Sequence, residues 1–252
     1  MNPVFANNNW PAVRDALADK RHPVVALLPC GATEAHGPHL PLCTDVIISE
    51  GMASYALPVL EDAGFTAVVL PSLAYAPAAY AAAFPGTISI QPATAKLLLL
   101  DVARSLKAQG VACLAIANSH FDPANVAMLR EAADEIRALG LPVAFPDFTR
   151  RKLAQLLTQE FQSGACHAGQ YESSLVLASR PELVDEGARH RLPDNHASLT
   201  EAFSRGASTF AEAGGPEAYF GAPRAASPEE GVESYEVLAG ALVAAVTDAL
   251  SA

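Results

Sequence analysis

Positive charge is scarce in this chain. Its 252 residues hold 16 Lys and Arg against 27 Asp and Glu, a net charge of −11, with no extended basic run. That balance excludes nucleic acid as the main partner and disfavours an anionic membrane surface. Long apolar runs are also missing. No uninterrupted run approaches the ~18 residues of a membrane span, so no membrane is expected. The opening "MNPVFANNNW" is neither basic nor followed by the apolar core of a signal segment. Cysteine is sparse: Cys30, Cys43, Cys113 and Cys166 form no CxxC pair. A domain of this size needs no disulfide staples, so the expectation is a reduced, cytoplasmic protein whose cysteines are small buried filler. Tryptophan occurs once, at Trp10.

Apolar residues make up 51% of the chain and charged ones 17%. This is enough to bury a sizeable core, and the length suits one α/β domain over residues 1–252. Strand-like and helix-like segments alternate. "HPVVALLPCG", "FTAVVLP", "VACLAIANSH" and "LPVAFPD" read as buried strands. Between and after them, "DVIISEGMASYALPVLEDAG", "QPATAKLLLLDVARSLKAQG" and "DPANVAMLREAADEIRALG" read as helices. The last of these has Asp122 as N-cap and Pro123 in its first turn. "SSLVLASRP" reads as one or two helical turns, and the final ~20 residues as an amphipathic helix. The alanine-rich 74–84 stretch reads as a loop or short helix. Residues 187–230 read as loops over a site or a partner surface. Continuous apolar strands alternating with helices predict a mostly parallel central sheet covered on both faces, an α/β/α sandwich.

In such sheets ligands gather at the carboxyl ends of strands. The motif "GATEAHGPHLPLCTD", residues 31–45, follows the first strand, and "NSHFD" ends the third. The two motifs therefore converge on one sheet edge. Glu34 and His36 are two apart and point the same way in extended chain. The turn at Gly37 and Pro38 brings Asp45 back toward them. No Lys or Arg lies in this stretch to balance the carboxylates, so a divalent cation is the economical partner. His120 and Asp122 repeat the i, i+2 arrangement. Five Glu, Asp and His donors exceed what one tetrahedral zinc with an open position needs. Two ions ~3.5–4 Å apart, bridged by a carboxylate and a water, fit the count. Zn2+ and Mn2+ suit these donors, and Fe2+ is compatible.

His39 differs in parity from His36 and reads as a supporting residue. His22, His190 and His196 have no partner motif and read as surface residues. A third cluster, "CHAGQYESS" at 166–174, holds His167 and Glu172. His167 suits a general acid/base passing a proton between metal-bound water and a leaving nitrogen. Glu172 is open to three roles: metal ligand, orienting partner of His167, or helix cap.

These motifs resemble those of the creatininase (creatinine amidohydrolase) family. "GATEAHGPHLPLCTD", "FPGTISI", "NSHFDPAN", "HAGQYESS" and "ASPEEG" stand in the family's order across nearly the whole chain. The resemblance implies an α/β/α sandwich with a dinuclear metal site. It makes Glu34, His36, Asp45 and His120 ligands, with Asp45 as the bridge, and His167 the proton-transfer group. It also implies a homo-oligomer, a hexamer in many members. Many members read NGHGGN where this chain has Asn118 to Asn125, and carry Glu at the position of Gln170. Members that hydrolyse creatinine instead have an acid two residues after the histidine. On that pattern Asp122 is the fifth ligand and Gln170 is not a ligand, although Asp is a methylene shorter than the usual Glu. The aromatic walls expected around creatinine are not supplied as Trp.

The expected activity is metal-dependent hydrolysis of a C–N bond in a small cyclic or linear amide, through a metal-bridging hydroxide, with His167 and Glu172 catalytic. The rival activity is that of a formamide deformylase or short-peptide hydrolase of the same superfamily. A rival of another class is a homologue that binds metal without turnover.

Overall fold

The computed structural model describes residues 1–251. The core is a parallel four-stranded sheet of β1 (Val24–Cys30), β2 (Thr66–Val69), β3 (Cys113–Asn118) and β4 (Val143–Ala144), in the order β2-β1-β3-β4. The helices are α1 (Trp10–Ala18), α2 (Thr44–Asp62), α3 (Pro92–Gln109), α4 (Pro123–Ala138), α5 (Arg151–Ala154), α6 (Gln159–Ser163), α7 (Gln170–Ser179), α8 (Glu186–Arg189), α9 (Leu199–Ser204) and α10 (Pro228–Ser251).

Strand parity builds the layers. Every residue of β1 is buried. Val25 and Leu27 face Ile48 and Met52 of α2, Leu175 of α7, and Leu238 and Leu242 of α10. Val24, Ala26 and Leu28 face Leu99 of α3 and Leu129 and Ile136 of α4. A strand wedged between two helical layers has no polar face to present, so its sequence is apolar without alternation. The expected α/β/α sandwich is what forms.

The chain leaves β1 through α2 to β2 on one side, then crosses through α3 to β3 on the other. The strand order therefore reverses between β1 and β3, the place where open α/β sheets hold ligands. Their ends are level, because Cys30 pairs with Asn118 in the register. The loops carrying Glu34 and His120 begin side by side.

The fourth strand is shorter than its sequence suggests. Val143 and Ala144 alone pair with β3. Pro142 and Pro146 flank them, and neither has an N–H to extend the ladder. Residues 74–84 form turns and loop rather than a helix. The last helix, α10, is long and apolar enough to cross a bilayer by length and composition, although charged residues interrupt its apolar runs. Here it is a core helix: Tyr235, Leu238, Leu242 and Val246 are buried against α2, α7 and the sheet. Two cysteines depart from the buried-filler expectation. Cys43 is exposed and Cys166 is half-buried, because they sit in loops at the sheet edge, while Cys30 and Cys113 lie in strands and are buried.

Candidate metal centre

At the carboxyl edge of β1 and β3, three carboxylates and three imidazoles point at one another. Glu34, His36, Asp45, His120, His167 and Glu172 are all buried, and His36 is fully so. The β1 loop supplies Glu34 and His36, and the first turn of α2 supplies Asp45. His120 follows β3. His167 precedes α7, whose first turn carries Glu172. Gly31 lets these loops close up: a Cβ there would lie 2.6 Å from the backbone nitrogen of Val46 and 2.9 Å from the Asp45 Cβ.

Each imidazole is oriented by a backbone carbonyl. Nδ1 of His36 lies 3.1 Å from the Glu34 carbonyl oxygen, Nε2 of His120 2.7 Å from that of Pro77, and Nε2 of His167 3.0 Å from that of Ala35. A carbonyl only accepts, so each of these nitrogens carries its proton there. In the neutral ring the other nitrogen then turns a lone pair inward, the arrangement that holds metal-ligating histidines.

The inward nitrogens meet carboxylates. His120 Nδ1 is 3.1 Å from Glu34 Oε1 and 3.0 Å from Asp45 Oδ2. His36 Nε2 is 3.2 Å from Asp45 Oδ1 and 3.6 Å from Glu172 Oε2. Two donor sets result, Glu34–Asp45–His120 and His36–Asp45–Glu172, each with ligand atoms within 4.8 Å of one another. Asp45 belongs to both and turns one oxygen to each. Glu34, His36 and His167 form a third such set. Buried His36 Nε2 and Asp45 Oδ2 have no hydrogen-bond partner. Buried polar atoms are rarely left so, and a cation in each of the two sets would remove the anomaly.

Without cations, protons must do the balancing. Burial pulls the His36 imidazole down, but the carboxylates of Asp45, Glu172 and Glu34 outweigh it and push it up to about 10. Burial likewise opposes protonation of His120, and Glu34 and Asp45 still hold it well above the usual imidazole range. Asp45 resists its own burial and stays below the usual carboxylate range, because His36 and His120 flank it. Glu172 goes the other way: burial, with Asp45 and Glu34 nearby, pushes it up to about 8. His167 is driven well below the usual imidazole range by burial and by facing His36. It is therefore the neutral base of the group.

Asp122 stands apart. Its Oδ1 accepts the Ala124 backbone N–H and caps α4, as the sequence implied. It belongs to none of the three donor sets, and its Oδ2 is buried without a partner. Glu172, by contrast, belongs to the set with His36 and Asp45. Its Oε2 accepts the N–H of Ala168, a residue held at a φ of 52°. Gln170 donates to Glu230. His39 is buried, with Nε2 2.9 Å from Ser173 Oγ, tying the β1 loop to α7. His22, His190 and His196 are exposed.

A cavity of about 660 Å³ opens onto the donor sets. Glu34, Asp45, His120, Asp122, His167 and Glu172 lie in its wall. Its aromatic lining is Phe and Tyr rather than Trp. The Phe210 ring lies 4.3 Å from that of His167, and Tyr80 lies 4.3 Å from Phe203. Phe203 and Phe210 come from the 187–230 region, which thus covers the site as expected. Neither aromatic was legible beforehand, because nothing local marks a Phe as the neighbour of a histidine some forty residues away.

Comparison with known proteins places this architecture. Residues 6–246 match the family model for creatininase, creatinine amidohydrolase. The mycofactocin precursor peptide peptidase of Mycolicibacterium smegmatis is 33% identical over 174 residues, covering 64% of this chain and 61% of that protein. The creatinine amidohydrolase of Pseudomonas putida is 31% identical over 179 residues, covering 64% and 66%. The matches span less than two thirds of either relative's length. The solved structure "Creatininase Mn" superposes with a TM-score of 0.76 at 24% identity over 98% of both chains, which shows a shared fold. The parallel sheet, the motif order and the match over nearly the whole chain agree: this protein belongs to the creatininase (creatinine amidohydrolase) family.

Proposed function

We propose that the protein hydrolyses a C–N bond of a small amide with two divalent ions, one held by Glu34, Asp45 and His120 and the other by His36, Asp45 and Glu172. The observation that carries this reading is the pair of donor sets sharing Asp45 while His36 Nε2 and Asp45 Oδ2 lack partners. Glu172 replaces Asp122 as the fifth ligand in this reading, because it shares a donor set with His36 and Asp45 and Asp122 belongs to none. Manganese is supported by the solved relative that carries it, and the same oxygen and nitrogen donors suit zinc and iron. Such ions supply Lewis acidity and a water of lowered pKa.

The protein's own groups do the rest. His167 is neutral, and its Nδ1 lies 4.0 Å from both Glu34 Oε1 and Glu172 Oε2. It takes the proton of the attacking water and delivers it to the departing nitrogen. The Ala35 carbonyl fixes its tautomer, and the Phe210 ring shields it from bulk water. A short-peptide substrate is the second reading, favoured by the peptidase relative and by a cavity larger than a single small ring requires. The free thiols support a cytoplasmic location. Exposed Tyr75, Ile88, Leu97 and Leu98 support a homo-oligomer, hexameric by family resemblance.

Asp45→Ala is expected to lose both bound metal and turnover. His167→Ala is expected to keep its metal and lose about 10²–10⁴-fold in kcat. A screen over lactams, formamides, small amides and dipeptides reads turnover, and full activity in rigorously metal-free protein would contradict the proposal.

A further inference from the structure

The amide chemistry proposed above occupies one end of the cavity, and the lining changes sign away from it. Among the described residues, the carboxylates in the wall are Glu34, Asp45, Asp122 and Glu172, all at the donor sets or beside them. The rest of the wall holds two guanidiniums, Arg130 and Arg151, and no other acid. Arg130 is neutralised: it pairs with Asp147 and donates to Thr149 Oγ1 at 2.8 Å. Arg151, two residues beyond Thr149, is exposed and has no ion pair or side-chain hydrogen bond among the described residues. It sits within Arg150-Arg151-Lys152, the longest run of consecutive cations in a chain of net charge −11. An acidic protein that sets an unpaired guanidinium in its cavity wall presents a site for an anion.

The spacing follows from α4. Eight residues separate Asp122, the N-cap beside the metal centre, from Arg130, which at 1.5 Å per residue is about 12 Å along the axis. Arg130 reaches Thr149, so Arg151 lies at this far end. Phe121, Phe148 and Phe161 line the same cavity, and Phe121 meets Phe161 edge to face at 5.5 Å. A ligand filling this space has an amide at the metal centre, an apolar or aromatic body and an anion on the order of 10 Å away.

We propose that Arg151 selects amides bearing a distal carboxylate, and that the substrate is an acidic N-acyl compound larger than a single uncharged ring. The inference rests on the amidohydrolase reading for its scissile bond, while the anion site stands on the cavity alone. The test uses N-acetylated ω-amino acids with two to eight methylenes, each against its terminal carboxamide, on the Mn2+-loaded protein. Turnover and calorimetric binding are both read, for wild type, Arg151→Ala and Arg151→Lys. The acids are expected to be preferred about five- to fiftyfold at the longer lengths, as for a charge-assisted hydrogen bond partly screened by solvent. Arg151→Ala brings that ratio close to one, and Arg151→Lys restores part of it. Equal handling of acid and carboxamide by the wild type, in turnover or binding, overturns the proposal. So does a ratio unchanged in Arg151→Ala. Acid-selective binding that needs Arg151, with no turnover of any compound, upholds the anion site and counts against the hydrolase reading instead.

Discussion

Asp45 is the residue on which the site turns. One carboxylate faces His36 with Oδ1 and His120 with Oδ2, so a single side chain joins two donor sets. The protonation of its neighbours yields a pH prediction for the metal-free protein. Glu172 rises from 4.5 to about 8 and His36 from 6.5 to about 10 in the fold. A group whose folded pKa lies above its unfolded value stabilises fully only below the unfolded value, and that contribution disappears as pH rises through the folded one. Chelator-treated protein is therefore expected to lose stability as pH climbs from about 4.5 to about 10. Metal ions displace these protons, so the Tm gained on adding Mn2+ should grow over the same range. Thermal melts with chelator and with metal check this, and a gain that shrinks with rising pH would count against it.

At the scale of elements, α7 matters most, because it carries Glu172 in its first turn and packs against α10. The two helices approach closely at Gly231, where a Cβ would stand 2.0 Å from the Ser174 carbonyl oxygen. Alanine has the better helix propensity by ~1 kcal/mol, yet Gly231→Ala is expected to destabilise the fold by about 1–3 kcal/mol. It should weaken metal retention as well, which denaturant titration and metal analysis together would read. Gly231 falls in the "ASPEEG" motif, but its packing partner is not visible in sequence. What was visible were the elements themselves. Apolar runs marked β1 and β3, Asp122 and Pro123 marked the start of α4, and Gly110 its predecessor's end. The rest has physical sources. Asp122 reads equally as a cap and as a ligand in "NSHFDPAN", and only the fold shows that the cap takes one oxygen. Sequence leaves Glu172 open to three roles, and its membership of a donor set shows only with α7 beside the β1 loop. Pro142 and Pro146 shorten β4 in a segment whose composition alone suggests a longer strand.

For the whole molecule, the reversal of strand order between β1 and β3 is what assembles the centre, since it sets two loop-bearing strand ends level and leaves a crevice above them. Helices on both faces bury the strands, and the 187–230 region closes over the crevice with Phe203 and Phe210. Light scattering on the purified protein is expected to report a homo-oligomer, and a monomer at micromolar concentration would contradict that part of the account. The central claim is that two ions share Asp45 and that Glu172, not Asp122, completes the second set. It is tested most directly by the metal stoichiometry of wild type, Glu172→Gln and Asp122→Asn, measured by mass spectrometry after saturation with Mn2+ and buffer exchange. The account predicts two ions per chain in wild type and in Asp122→Asn, and one in Glu172→Gln. Two ions retained in Glu172→Gln with one lost in Asp122→Asn, or none bound in wild type, would contradict it.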